Sequence, residues 1–139
     1  MRKVAEKCYL PANEVILNLI LKNKGKFKVS YSLTGLVISQ MRLYAPEVLD
    51  SFRKLADTGM VEFLAETDSH SLASLMNRNE FERQVNVQKE MVKEFLGTEP
   101  TSFRNTELIY SDQIGAWIAD MGFKAMLTEG AKHVLGWKS

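Results

Sequence analysis

Short runs rich in Val, Tyr, Phe and Leu alternate with helix-like stretches along the chain, and this alternation constrains the fold more than any single motif. "PANEVILNLILKN" opens with a proline suited to a first helical turn and carries Val15, Ile16, Leu19 and Ile20 at helical spacing. "KFKVSYSL" alternates as a half-buried strand does. "APEVLDSFRKLADTG" then places Val48, Leu49, Phe52, Leu55 and Ala56 on one helical face and stops at Gly59. The cycle repeats: "MVEFLAE" reads as a strand, "SHSLASLM" as a short helix, and "NEFERQVNVQKEMVKEFLG" as a longer one with Phe81, Val85, Gln88, Val92 and Phe95 along one side. "TSFRNTE" is a strand, "SDQIGAWIADMG" a helix capped by Ser111, and "FKAMLTE" a last strand. Strands separated by helices require crossover connections, so the predicted class is α/β, a parallel sheet of about four strands alternating with helices. Two architectures fit, an open doubly wound sheet or part of a (β/α) barrel. The first is expected to carry a glycine-rich phosphate loop after its first strand, and the single glycine of "SLTGLV" gives little support for a nucleotide site.

Three of the strands end in glutamate, at Glu66, Glu107 and Glu129. By the two-residue period, Glu62, Leu64 and Glu66 share one face, Phe103, Asn105 and Glu107 another, and Ala125, Leu127 and Glu129 a third. In parallel strands the terminal carboxylates converge on the carboxyl edge of the sheet, where α/β folds place their active sites. Like charges raise one another's pKa, so such a cluster needs a proton, a counter-charge or hydrogen bonds to offset it. It suits acid/base or nucleophilic work, and paired carboxylates across a sugar are what glycoside hydrolysis uses. His70, Arg104 and Asn105 supply polar contacts to this edge, although strand alternation sets Arg104 opposite Glu107 and toward the helices. The plainer reading of each strand-terminal glutamate is a solvated loop residue or a helix cap.

The remaining candidates are weaker. Trp117, spaced from Ile114 and Met121, reads as core, whereas Trp137 reads equally as a sugar-stacking platform or a packing residue. Cys8 has no activating base nearby and reads as an inert buried thiol; as the single cysteine it excludes an internal disulfide. His70 and His133 are the two histidines and neither has a ligand spacing, so no metal and no cofactor are expected. A net charge of +1 gives no bias toward nucleic acid or membrane surfaces. With no signal-peptide apolar region and no long apolar run, the expected location is cytoplasmic.

"VEFLAETDSHSLASL", "FRNTELIYSDQIG" and "GFKAMLTEGAKHVLGWKS" resemble consecutive stretches of the α-amylase-like branch of glycoside hydrolase family 57, and "RKVAEKCYLPANE" resembles the segment that precedes them. The resemblance runs through nearly the whole chain without interruption. It implies a retaining α-glucan hydrolase or transferase, of α-amylase or 4-α-glucanotransferase type, built on an incomplete seven-stranded (β/α) barrel and acting on α-1,4-glucans. Glu107 matches the family's catalytic nucleophile. Glu62, Glu66 and His70 become candidates for binding the sugar, Glu129 and Trp137 gain proximity to it, and Asn105 accompanies the nucleophile.

Members of that family begin with a strand bearing a His-Gln-Pro type motif and carry their acid/base aspartate well beyond the stretch matching "GWKS". Residues 1–139 therefore read as a single partial catalytic domain without the family's first strand and its later acid/base segment. It is expected to be inactive alone, since one carboxylate cannot both attack and protonate. The alternative is a non-catalytic carbohydrate-binding or regulatory module derived from the same fold. A sugar deacetylase of related barrel type is disfavoured by the scarcity of histidine. The expected partners are an α-glucan or oligosaccharide and, through unpaired sheet edges, a second copy of the chain.

Overall fold

A computed structural model describes residues 1–130 and 136. Strand β1 (Val29–Ser32) pairs in parallel with β2 (Val61–Leu64), from Val29 opposite Val61 to Ser32 opposite Leu64. Strand β3 (Ser102–Arg104) pairs in parallel with β4 (Ala125–Leu127). One parallel bridge between Ala65 and Phe103 joins the two pairs, with Ala65 N–H donating to the Ser102 carbonyl at 2.9 Å and Arg104 N–H to the Ala65 carbonyl at 2.8 Å. The strands thus lie in chain order. A sequential order has no reversal and no topological switch point, so the sheet is an arc of a (β/α) barrel rather than a doubly wound sheet.

Helix α1 (Arg2–Val4), a π-helical turn (Ala5–Tyr9) and α2 (Leu10–Lys22) follow one another without a break, so Pro11 sits inside a continuous helical segment, just past the π-helical turn, rather than at the free first turn expected of it. Helices α3 (Gly35–Tyr44) and α4 (Pro46–Asp57) connect β1 to β2, and α5 (Ala73–Met76) and α6 (Arg78–Leu96) connect β2 to β3. A 3-10 turn (Thr106–Leu108) and α7 (Asp112–Asp120) connect β3 to β4. The Asn77 side chain caps α6 by accepting from Glu80 N–H, and Ser111 caps α7 by accepting from Ile114 N–H. Helix α3 and the helical residues 2–9 are absent from the reading of the sequence. In α3 the apolar residues run all round: Ile38 and Met41 are buried while Leu36, Leu43 and Tyr44 are exposed, which leaves no clear stripe. Its one local signal is Thr34, whose hydroxyl accepts from Val37 N–H at 3.1 Å.

The helix side of the sheet holds two apolar clusters. Phe52 of α4 meets Phe63 and Tyr31 edge-on at 6.0 and 5.2 Å, within a cluster that also takes Ile38, Met41, Leu55 and Val92. Phe103 of β3 meets Phe81 of α6 edge-on at 5.7 Å, and Trp117 lies 6.0 Å from Phe81 as a half-buried wall of this second cluster. The opposite face of the sheet carries the polar side chains Ser30, Ser32, Glu62, Glu66 and Arg104 beside Leu64 and Leu127. Among the described residues no helix is long and apolar enough to cross a membrane.

Candidate active site

At the carboxyl ends of β1, β2 and β3 the polar face gathers four side chains into one string. Ser32 Oγ donates to Glu66 Oε1 at 2.6 Å. Glu66 Oε2 lies 3.5 Å from His70 Nδ1, and His70 Nε2 lies 3.2 Å from Glu107 Oε1. The two carboxylates differ in environment. Glu66 is 2% exposed, whereas the Glu107 side chain is 73% exposed. The convergence expected for these two glutamates is therefore present, with an imidazole between them.

Glu107 reaches this position by leaving the strand pattern. Residue pairing ends at Arg104, and Glu107 and Leu108 adopt left-handed backbone angles, φ +53° and +56°. Each such residue costs on the order of 1–2 kcal/mol when it is not glycine. Neighbouring contacts hold the turn: Asn105 Nδ2 donates to the Ile109 carbonyl at 2.9 Å and to Ser74 Oγ at 3.0 Å, and the Thr106 and Thr67 hydroxyls bond at 3.1 Å. His70 is also left-handed, φ +54°. Strained non-glycine residues on both sides of one contact fit a site whose geometry is imposed by its surroundings.

Because the turn interrupts the two-residue alternation, two expectations change. Asn105 does not share a face with Glu107; it is buried and buttresses the turn from beneath, with its Oδ1 left without a partner. Arg104 does not face the helices. Its register neighbour is Glu66, and both line a cleft of about 600 Å³ together with Ser32, Thr34, His70 and Tyr31. Among the described residues no carboxylate lies within ion-pair distance of Arg104, since Glu66 is turned toward Ser32 and His70. Burial pushes the Tyr31 phenol above its usual value, which keeps its hydroxyl a donor to Asn13 Oδ1 at 3.4 Å.

Glu62 stands at the other end of β2, accepting from Thr101 Oγ1 at 2.9 Å and Ser102 N–H at 3.0 Å, and the structure does not bring it to the cluster. Glu129 is exposed beyond the end of β4, with no described contact to His70 or Glu107. Trp137 lies outside the described residues. Cys8 corrects its expectation: it is exposed rather than buried, since the π-helical turn presents it at the rim of the cleft. Among the described residues no group of three His, Cys, Asp or Glu side chains is arranged to hold a metal ion.

Two contributors escape sequence reasoning. Ser32 ends β1 with no motif to mark it. Gln88, fully buried on α6, donates from Nε2 to the Leu33 carbonyl at 2.8 Å and the Leu64 carbonyl at 3.2 Å, and accepts from Glu66 N–H at 3.3 Å. Its signal was a polar residue on an otherwise apolar helical stripe.

The sequence profile of glycosyl hydrolase family 57 matches residues 1–139. A Methanocaldococcus jannaschii protein with the name "Putative alpha-amylase" is 47% identical over 138 residues, which cover 99% of this chain and 29% of that protein. Among solved structures, a 4-alpha-glucanotransferase from Thermococcus litoralis superposes with a TM-score of 0.73 at 19% identity, over 85% of this chain and 18% of that one. A CE4 family pseudoenzyme from Bacillus anthracis superposes with a TM-score of 0.63 at 14% identity, over 83% of this chain and 38% of that one. These two structural likenesses speak for the fold alone. The chain thus spans less than a third of the length of the M. jannaschii relative. A profile match along its full length, supported by that relative, establishes that the chain belongs to glycosyl hydrolase family 57.

Proposed function

We propose that Glu107 is the nucleophile of a retaining glycoside hydrolase or transferase acting on α-1,4-glucans, and that this chain supplies the nucleophile's half of the site. The observation that carries the reading is the contrast between two linked carboxylates. Glu107 is exposed at the mouth of the carboxyl edge and held by His70, while Glu66 is buried behind it. Only the former can approach an anomeric carbon. Family membership and the alpha-amylase name of the M. jannaschii relative support an α-glucan as substrate.

A retaining mechanism sets two carboxyl groups about 5 Å apart across the bond, one attacking and one protonating the leaving oxygen. Glu66 is nearly fully buried and its Oε1 is engaged by Ser32, so we assign it no proton donation. The family resemblance assigns the donor to an aspartate in another stretch of the catalytic domain.

A substrate whose leaving group needs no proton isolates the nucleophile. With a ring-fluorinated α-maltosyl fluoride, a Glu107 carboxylate oxygen bonds to the anomeric carbon as the C–F bond breaks and fluoride departs with the electron pair. Mass spectrometry is expected to find one maltosyl adduct on the peptide containing Glu107, absent in Glu107→Gln. An adduct elsewhere, or none, refutes the assignment; hydrolysis of an unsubstituted maltooligosaccharide, lost in Glu107→Gln, refutes the missing donor.

The cleft of about 600 Å³ supports a second reading, a binding module without turnover. Calorimetric binding of maltooligosaccharide with no fluoride labelling would favour it.

A further inference from the structure

We propose that Glu66 is a positioning residue: its buried carboxylate, set by Ser32, holds the Nδ1 side of His70 so that Nε2 meets Glu107. The proposal rests on the reading of Glu107 as the nucleophile and reassigns Glu66, nearly buried in the cleft wall and already bonded to Ser32, from substrate contact to support.

Removing a carboxylate from water is costly unless its oxygens are engaged. Oε1 accepts from Ser32 Oγ at 2.6 Å, and Oε2 faces His70 Nδ1 at 3.5 Å, within ion-pair distance of a protonated ring. The backbone behind them is clamped as well. Gln88 accepts from Glu66 N–H and donates to the carbonyls of Leu33 and Leu64, which fixes the strand ends bearing Ser32 and Glu66 relative to one another. Rigidity therefore lies at the Ser32–Glu66 end of the string. The other end is open to solvent, with the His70 side chain 41% and Glu107 73% exposed.

An imidazole bound at one nitrogen by a carboxylate has its tautomer and ring plane set by that contact. With the proton on Nδ1 directed to Glu66, only Nε2 is presented to Glu107. In the imidazolium form Nε2–H then donates to Oε1 and orients the attacking carboxylate; a neutral ring protonated on Nδ1 has no N–H to offer Glu107, since a carboxylate only accepts. Without Glu66 the half-exposed ring is free to turn, and Glu107 loses its oriented neighbour. Arg104, lining the same cleft, is the other charged group facing this region; the Asp68 carboxylate lies instead against Gly35.

The test uses the 15N spectrum of the histidine rings in the whole chain, where two imidazoles contribute and His133→Gln identifies which is which. In the wild-type protein His70 is expected to show a protonated Nδ1. Glu66→Met, apolar and of similar size, is expected to lose that signature and to slow fluoride labelling of Glu107 on the order of a hundredfold, as for a misplaced reacting group. Glu66→Gln keeps an acceptor and is expected to restore both. An unchanged ring spectrum and labelling rate in Glu66→Met overturn the proposal. If circular dichroism shows Glu66→Met unfolded, Ser32→Ala decides: it frees the carboxylate without removing it, and no change in spectrum or labelling is again a refutation. Failure of wild-type labelling would count against the nucleophile assignment alone, because the ring spectrum still reports whether Glu66 sets His70.

Discussion

His70 Nε2 lies 3.2 Å from Glu107 Oε1, across the junction where β2 and β3 are tied by one bridge. Contact between the loop after β2 and the turn after β3 is made by side chains more than by the sheet. His70→Ala removes the link and leaves Glu66 with Ser32 as its remaining side-chain donor. The expected cost in stability is about 1 kcal/mol, against a much larger drop in fluoride labelling of Glu107. Urea unfolding and labelling kinetics on the same variant separate the two effects.

Gln88 satisfies two carbonyls and one N–H at the ends of β1 and β2. Gln88→Leu keeps much of the volume but leaves these backbone groups buried without partners, a loss of about 1–3 kcal/mol for each unsatisfied group. The variant is expected to unfold at markedly lower urea concentration than wild type. Amide exchange at Glu66 should accelerate more than exchange in α7.

Gly35 opens α3 directly beneath the loop that carries His70. A Cβ there would overlap Asp68 Oδ1 and lie 2.8 Å from Met91 Sδ. Leu36 N–H also donates to the Asp68 carbonyl at 3.1 Å, so the loop cannot simply lift away. Gly35→Ala should cost about 1–3 kcal/mol by overpacking and displace the loop. A lowered melting temperature together with shifted His70 ring resonances checks this outcome.

Arg104 lines the cleft with no carboxylate partner among the described residues. Its free guanidinium is placed to donate to ligand hydroxyls, a role the compact ammonium of lysine fills poorly. Arg104→Lys is expected to weaken maltooligosaccharide binding about tenfold in calorimetry, with stability changed by less than about 0.5 kcal/mol. Equal affinity in the two proteins would remove Arg104 from the binding surface.

Glu62 works far from the cleft. Burial alone would raise its pKa, but hydrogen bonds from Thr101 and Ser102 outweigh this and hold it below the ordinary 4.5. A carboxylate with a depressed folded-state pKa adds stability above its unfolded value and loses it as pH falls through the folded one. Stability should therefore decline from near pH 4.5 downward, and Glu62→Gln should flatten that part of the curve. Urea midpoints across this range measure it.

Alternating strand and helix patterns settled the class of the fold and the order of its main elements, because the two-residue and 3.6-residue periods are local properties. The glutamates at strand ends were likewise legible from position alone. What the sequence left open was which way each side chain points once a strand stops. Period-two alternation assigned Asn105 to the face of Glu107 and Arg104 to the helices; two left-handed residues and a buried turn reversed both. Helix α3 went unread because its apolar residues surround the axis. Ser32 carried no signal and Gln88 only that of a polar residue on an apolar stripe, since their roles arise from bonds spanning 34 and 55 residues of chain. Only tertiary packing decided that Glu66 is buried and Glu107 exposed: the burial of each depends on which neighbours cover it, and those neighbours are distant in sequence.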